Sequence, residues 1–376
     1  MNEKLCYTSQ IQKKEMLTLQ KKLFAAVIVL CILFVGYEML FTKSKNIISS
    51  DEVPVFITIG QSNADGSAFA DEAEDKRLSI WYDDSLSNPK LMKIWYRSSY
   101  IVNQENGARW VFDGSVQDVA PGWLDLYYKN DHVNGRTMMN MIHSYGTWSE
   151  GAAGRRGMEG EFGMHFQQAF PDQPLYIIKL GCSGSQIETW ASSQDSHNWN
   201  YFYDKMYLPA IESLLSQGKK PRLAGIWWMQ GEGNGSDSKE EYLPLLKNLI
   251  YKCRTELGFP EAQIYLGRVV KPGENTSYST ASTQFGQGVR DAQDAIVNPK
   301  DANYMPYVTL VDNRDCPFDA DNLHYSHIGV NKIGLRLADL VIRAGRNGQW
   351  AEFSESAFKR AASSQHAGAN HASPVL

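Results

Sequence analysis

The run Pro54-Val55-Phe56-Ile57-Thr58-Ile59-Gly60-Gln61-Ser62-Asn63-Ala64-Asp65-Gly66 constrains the chain more than any other stretch. Its first six residues are β-branched or apolar, the composition of a strand buried in a parallel sheet, and the run stops at a glycine. Ser62 follows two positions later, where a helix can begin. Ligand sites in open parallel sheets lie outside the carboxyl ends of the strands. Amide N–H groups at a helix start also favour negative charge developing on an attacked carbonyl oxygen. Ser62 is therefore either a plain helix N-cap or a nucleophile, and the run alone leaves both open.

Similar strands recur at Leu175 to Leu180, Leu223 to Met229, Ala262 to Val270 and Tyr307 to Val311. Helical patterns cover Gly160 to Ala169, Tyr203 to Gln217, Lys239 to Leu257, Thr283 to Val297 and Val330 to Ala344. Strands alternating with helices predict an α/β domain with one parallel sheet over 53–346. Residues 67–158 break the rhythm with Trp81, Trp95, Trp110, Trp123 and Trp148 among glycines and short strand-like pieces such as Met92 to Tyr100. So aromatic a stretch is not a disordered linker; it reads as an insertion over the carboxyl end of the first strand. Residues 347–376, ending in Ala, Ser, His and Asn, read as a disordered tail.

The N-terminus has a different character. Residues 1–22 are polar, with Lys4, Lys13, Lys14, Lys21 and Lys22 against Glu3 and Glu15. Leu23 to Phe41 then opens with an unbroken apolar stretch long enough, with its amphipathic extension, to cross a bilayer at about 1.5 Å per residue. A cleaved signal peptide needs a small-x-small site after Val35, which is missing. The expectation is an uncleaved transmembrane signal-anchor over 23–41, a cytoplasmic segment at 1–22, a linker at 42–52 and an exported catalytic domain (periplasmic, extracellular or lumenal). Secretion after cleavage stays as the alternative.

A net charge of −5 with no basic patch excludes nucleic acid as an expected partner. The five cysteines include no CxxC, so no thiolate zinc site or disulfide framework is indicated; one disulfide among Cys182, Cys253 and Cys316 stays open.

The decisive chemistry lies far from Ser62 in sequence. Asp321-Asn322-Leu323-His324 follows the last strand and precedes the last helix, again at the carboxyl edge. A serine hydroxyl becomes a nucleophile when an imidazole takes its proton, and a carboxylate fixes the imidazole tautomer. Ser62, Asp321 and His324 form that set, although Asp321 alone reads equally as a turn residue and His324 as a strand-end cap. Asp319 and His327 are local rivals for those two places. Gly184, after the second strand, and Gln230, after the third, join the Ser62 N–H as candidate oxyanion donors. Ser183 and Cys182 are rival nucleophiles, but the segment is not a complete GxSxG elbow. No HExxH or comparable ligand set points to a metal.

These blocks resemble the SGNH hydrolases, specifically the carbohydrate esterases of the sialate O-acetylesterase and acetylxylan esterase type. Gly60-Gln61-Ser62-Asn63-Ala64 matches the first block, and Ser183-Gly184-Ser185-Gln186-Ile187-Glu188-Thr189-Trp190 is similar to the second, with Ser183 where a glycine is usual. Gln230-Gly231-Glu232 matches the third, and Asp321-Asn322-Leu323-His324 the last. Gly160-Glu161-Phe162-Gly163 is similar to the segment before the second block. This branch commonly carries aspartate two residues after the glutamate; here it is Asn234. The resemblance implies a flavodoxin-like three-layer α/β/α sandwich with a short parallel sheet and no cofactor or metal. It also implies a Ser-His-Asp mechanism removing O-acetyl groups from a carbohydrate. Gln61, Asn63, Glu188, Trp190 and Glu232 then become the candidate substrate contacts, with Trp199, Trp227 and the aromatic insertion as sugar-stacking surfaces. A lipase or arylesterase of the same fold, a non-catalytic carbohydrate-binding protein and, least, a metal-dependent hydrolase are the rival readings.

Overall fold

In the computed structural model, residues 49, 51–69, 91–96, 122–126, 128–129, 138–139, 155–270 and 285–369 are described. The expected cytoplasmic segment at 1–22 and the signal-anchor at 23–41 lie outside them, as do Trp81, Trp110 and Trp148. Among the described residues no helix is long and apolar enough to cross a membrane.

The sheet is centred on β1 (Glu52–Gly60), which takes in the apolar start of the Pro54 to Gly66 run. It pairs in parallel with β8 (Leu175–Gly181) on one side and β9 (Lys220–Met229) on the other. Beyond β9 come β10 (Ile264–Gly267) and β11 (Val308–Val311), both parallel. These five strands, renumbered along the chain, stand in the order 2-1-3-4-5. That order reverses direction at β1, the position where open α/β sheets form a crevice.

The insertion is partly sheet. Its β3 (Met92–Tyr96) continues the sheet in parallel beside β8, and β4 (Leu124–Asp125) pairs antiparallel with β3. This corrects the expectation of a covering segment for these residues. The physical reason is visible in Met92, Ile94 and Trp95, which are buried; Trp95 meets Trp123 edge-on at 5.4 Å. Two-residue ladders β5 (Tyr128–Lys129) with β6 (Met138–Met139), and β2 (Ala68–Phe69) with β7 (Arg155–Arg156), complete the insertion's described pairing.

Helices cover both faces of the sheet. Val53, Val55, Ile57 and Ile59 point into one core with α5 (Leu208–Ser216), α6 (Lys239–Thr255) and α7 (Gln287–Val297). Phe56 points the other way and meets Phe162 of α2 (Glu159–Ala169) at 4.4 Å; α2 packs there against α8 (His327–Arg346). Local chemistry sets the helix starts. Ser238 and Glu241 form a reciprocal capping box on α6. Ser326 caps α8 by accepting from the Gly329 N–H, so His327 is the first helical residue.

The tail departs from expectation. Residues 350–369 hold a short strand, β12 (Ala351–Glu352), on β9, and then α9 (Glu355–Ala369). Trp350 donates from Nε1 to the Val341 carbonyl and stacks on Phe166, while Phe358 is buried against Phe353. Three large apolar side chains in nine residues give this stretch enough buried area to offset its ordering. Cys182, Cys253 and Cys316 are buried free thiols.

Candidate active site

Three neighbouring strands end level: Gly60 pairs with Gly181 of β8 and with Met229 of β9. Glycine is required at both of the first two. Gly60 has φ +144°, and a Cβ there would run into the Met229 carbonyl oxygen. A Cβ on Gly181 would overlap the backbone of Asp65, because the single-turn helix α1 (Ser62–Asp65) rests directly on that strand end. This close packing carries Ser62 to the edge of the sheet.

The loop 318–325 reaches Ser62 from the far end of the chain. It is closed by an antiparallel bridge between Phe318 and Tyr325 and by Asn322 in the left-handed conformation at φ 53°, which asparagine tolerates. Asp321 Oδ1 accepts the N–H groups of Leu323 and His324, each at 2.9 Å, and its Oδ2 lies 2.7 Å from His324 Nδ1. A turn-forming role and a histidine-orienting role therefore coexist in one carboxylate. His324 Nε2 lies 2.9 Å from Ser62 Oγ. An ionised carboxylate only accepts, so Nδ1 carries the hydrogen and Nε2 accepts from the serine hydroxyl. Partial burial pushes the Asp321 carboxyl up, but the hydrogen bonds from the His324 ring and from the His324 and Leu323 amides outweigh it, leaving a pKa of about 2. Of the rivals, Asp319 donates its backbone N–H to the His324 carbonyl and accepts the Asn322 N–H, and His327 opens α8.

The Ser62 and Gly184 N–H groups take no hydrogen-bond partner among the described residues. Gly184 is exposed at φ +68°, with nothing within 4 Å of where a Cβ would stand. Gln230, expected as a third donor beside them, is committed elsewhere. Its Nε2 donates to the Ser185 carbonyl at 3.0 Å and to Asn234 Oδ1 at 2.7 Å, and its Oε1 accepts from Tyr242 at 2.9 Å. Complete burial leaves it no choice, since an idle amide there would cost about 1–3 kcal/mol. Gln230 instead holds the carbonyl next to Gly184.

Asn234 extends that brace. Its Oδ1 also accepts the Ile187 N–H, and its Nδ2 donates to Glu188 Oε2 at 3.0 Å and Asp237 Oδ2 at 2.8 Å. Tyr242 and Asp237 are participants that sequence reasoning missed. Tyr242 carries only the signature of the buried face of α6, and Asp237 only that of a loop residue.

Most of the expected substrate contacts turn inward. Gln61 is buried, with Oε1 accepting the Gly233 N–H at 3.1 Å. Asn63 and Glu232 are each 8% exposed and bonded to one another at 2.8 Å. Trp190 is fully buried, donates to Ser185 Oγ and packs edge-on against Trp228. Trp199 and Trp227 are core as well. The reason is shared: strand ends and the first turns behind them are where the sheet still needs filling. Glu188 alone of the five is half-buried at the rim.

The family model SASA, described as carbohydrate esterase, sialic acid-specific acetylesterase, matches residues 52–343. The chain belongs to this family. It is thus a carbohydrate esterase, and the family's chemistry is carbohydrate O-deacetylation. The matched span takes in β1 through most of α8 and every residue of the hydrogen-bonded set above. Comparison with curated proteins returns no match. Among solved structures, this carbohydrate esterase is similar to a protein from Arabidopsis thaliana at 16% identity and TM-score 0.48, covering 78% of this chain and 98% of that one. It is also similar to NanS, at 15% identity and TM-score 0.45, with coverages of 80% and 99%. A carbohydrate acetylesterase from Xanthomonas citri stands at 14% and 0.44, with coverages of 78% and 57%.

Proposed function

We propose that this esterase removes O-acetyl groups from a carbohydrate through an acetyl-enzyme on Ser62. The observation that carries the reading is the unbroken sequence Asp321 Oδ2–His324 Nδ1 at 2.7 Å and His324 Nε2–Ser62 Oγ at 2.9 Å, spanning 262 residues of chain. His324 takes the Ser62 proton as Oγ attacks the ester carbonyl. The N–H groups of Ser62 and Gly184 hold the oxyanion, and Asp321, still ionised far below neutral pH, stabilises the imidazolium. The imidazolium then protonates the departing sugar oxygen. Water, activated by the same histidine, releases acetate from the enzyme.

In this reading the sheet and its two helical layers are the three-layer sandwich of an SGNH hydrolase, with domain limits near 52 and 346 and β12–α9 packed on afterwards. The apolar run at 23–41 serves as a signal-anchor that leaves the esterase on the exported side of a membrane. The family description makes an O-acetylated sialic acid the first sugar to test. The test is acetate release by the full chain from a panel of acetylated sugars and polysaccharides, beside Ser62→Ala. Release by the parent that is lost in the variant supports the mechanism. Equal release by both refutes Ser62 as nucleophile.

A further inference from the structure

Asn63 and Glu232 sit beside the reacting groups without facing solvent, and their bonds have a pattern that filling a core does not require. Asn63 follows Ser62 directly on α1. Its Nδ2 donates to the Leu323 carbonyl at 3.2 Å, and its Oδ1 accepts the Tyr325 N–H at 3.1 Å. These are the backbone groups immediately before and after His324. One side chain therefore grips the histidine's main chain from both sides, from a point one residue away from the nucleophile. Glu232, after β9, accepts from the same Nδ2 at 2.8 Å. Its second oxygen is buried without a hydrogen-bond partner among the described residues. Burying a carboxylate with one oxygen idle is costly, and an apolar residue would fill the space more cheaply.

We propose that Asn63, backed by Glu232, is a positioning clamp that sets the distance between His324 and Ser62, rather than a contact to the sugar. The inference rests on the acyl-enzyme reading of Ser62 given above. The logic is one of donors and acceptors. Nδ2 serves two acceptors, a carbonyl and a carboxylate, while Oδ1 serves one donor, so only a carboxamide with this orientation satisfies all three. Displacing a reacting group by about 1 Å costs roughly a hundredfold in rate. The clamp is therefore felt in kcat, and equally for every ester.

The experiment measures kcat and KM of the full chain on p-nitrophenyl acetate and on the acetylated sugar it hydrolyses best, with thermal melts of each variant. Asn63→Ala is expected to lower kcat about 10- to 100-fold on both esters with KM within about twofold. Asn63→Asp keeps the shape, but its carboxyl can share at most one proton with Glu232 and then leaves the Leu323 carbonyl without a donor, so kcat is expected to stay well below the parent's. Glu232→Gln retains an acceptor for Nδ2 and is expected to lose less than Glu232→Ala. A rise in KM confined to the sugar overturns the clamp and returns both residues to substrate contact. Full kcat in Asn63→Asp overturns it too, because shape alone would then suffice. Should Asn63→Ala not fold, the Asn63→Asp and Glu232 variants decide. A parent silent on both esters would instead refute the esterase mechanism on which the clamp depends.

Discussion

The resemblance read from the sequence implies aspartate at the place of Asn234, and putting aspartate there should harm this protein. The Asn234 side chain is buried, with two donors, the Ile187 N–H and Gln230 Nε2, on its oxygen. Two carboxylates, Glu188 and Asp237, accept from its nitrogen. In Asn234→Asp the oxygen keeps its donors, but the nitrogen's two charge-assisted hydrogen bonds are lost, each worth about 1.5–3 kcal/mol. An ionised replacement would also face two like charges, at roughly 4 kcal/mol each for a 4 Å separation and an effective dielectric of 20. The introduced carboxyl avoids that repulsion by holding a proton, with which it restores one of the two lost bonds. The expected loss is then about 6–7 kcal/mol at neutral pH, the remaining bond plus about 4 kcal/mol for retaining at pH 7 a proton that the unfolded carboxyl, with its pKa of about 3.9, has released. The loss should shrink as the pH falls towards about 5, where the proton costs less. Urea denaturation of variant and parent across that range measures it. A variant as stable as the parent at pH 7, or one whose deficit grows in acid, would refute the reasoning. Because Asn234 also holds the Ile187 N–H and holds Gln230, which bonds the Ser185 carbonyl, and both backbone groups come just after Gly184, kcat should fall more than KM rises.

Two further outcomes follow from burial. Trp190→Ala should cost about 3–5 kcal/mol of stability by opening a cavity against Trp228, with KM for the sugar nearly unchanged below the melting temperature. A higher KM with intact stability would instead put Trp190 against substrate. Burial, opposed by the Asn63 hydrogen bond and the nearby His324, raises the Glu232 pKa. The folded chain thus binds that proton more tightly than the unfolded one, and the stability so gained is complete below the unfolded carboxyl range and lost as pH rises through the folded pKa. Glu232→Gln does not titrate, so its melting temperature relative to the parent should climb as the pH rises above the unfolded carboxyl range. A flat or falling difference would contradict the assignment.

The parts of the site legible in the sequence share one property: their chemistry is local. Pro54 to Gly66 announces a buried strand, a forced glycine and a helix start within thirteen residues. Asp321 and His324 sit three apart in a turn whose backbone closes on the same carboxylate. Gln230 was legible as a polar group at a strand end, but the direction of its amide was not, because that is decided by Tyr242, Ser185 and Asn234, none of which neighbours it on the strand. The tryptophans misled for a related reason. Composition says there are many, whereas depth relative to the sheet says which are covered, and depth depends on layers built from distant segments. β3 and β12 were hidden likewise, since each is short and becomes a strand only through a partner, β8 or β9, far along the chain.

The same distinction separates what each block does. Ser62 and His324 bring Oγ and Nε2 together at the strand ends, while Asp321, Gln230, Asn234, Glu232 and Asn63 present their polar atoms to other protein groups. The third block thus acts through its neighbours in two directions. Through Gln230 and Asn234 it fixes the turn that exposes the Gly184 N–H, and through Glu232 and Asn63 it fixes the backbone on either side of His324. One short segment at the end of β9 therefore braces both the backbone around His324 and the turn that carries Gly184. Loosening Gln230 and loosening Asn63 should each lower kcat. Because Gln230 and Asn63 share no hydrogen-bond partner among the described residues, the double variant Gln230→Ala/Asn63→Ala should show losses that multiply, within about 0.5 kcal/mol of additivity. A much smaller combined loss would mean that the two braces act on the same step of positioning rather than on separate ones.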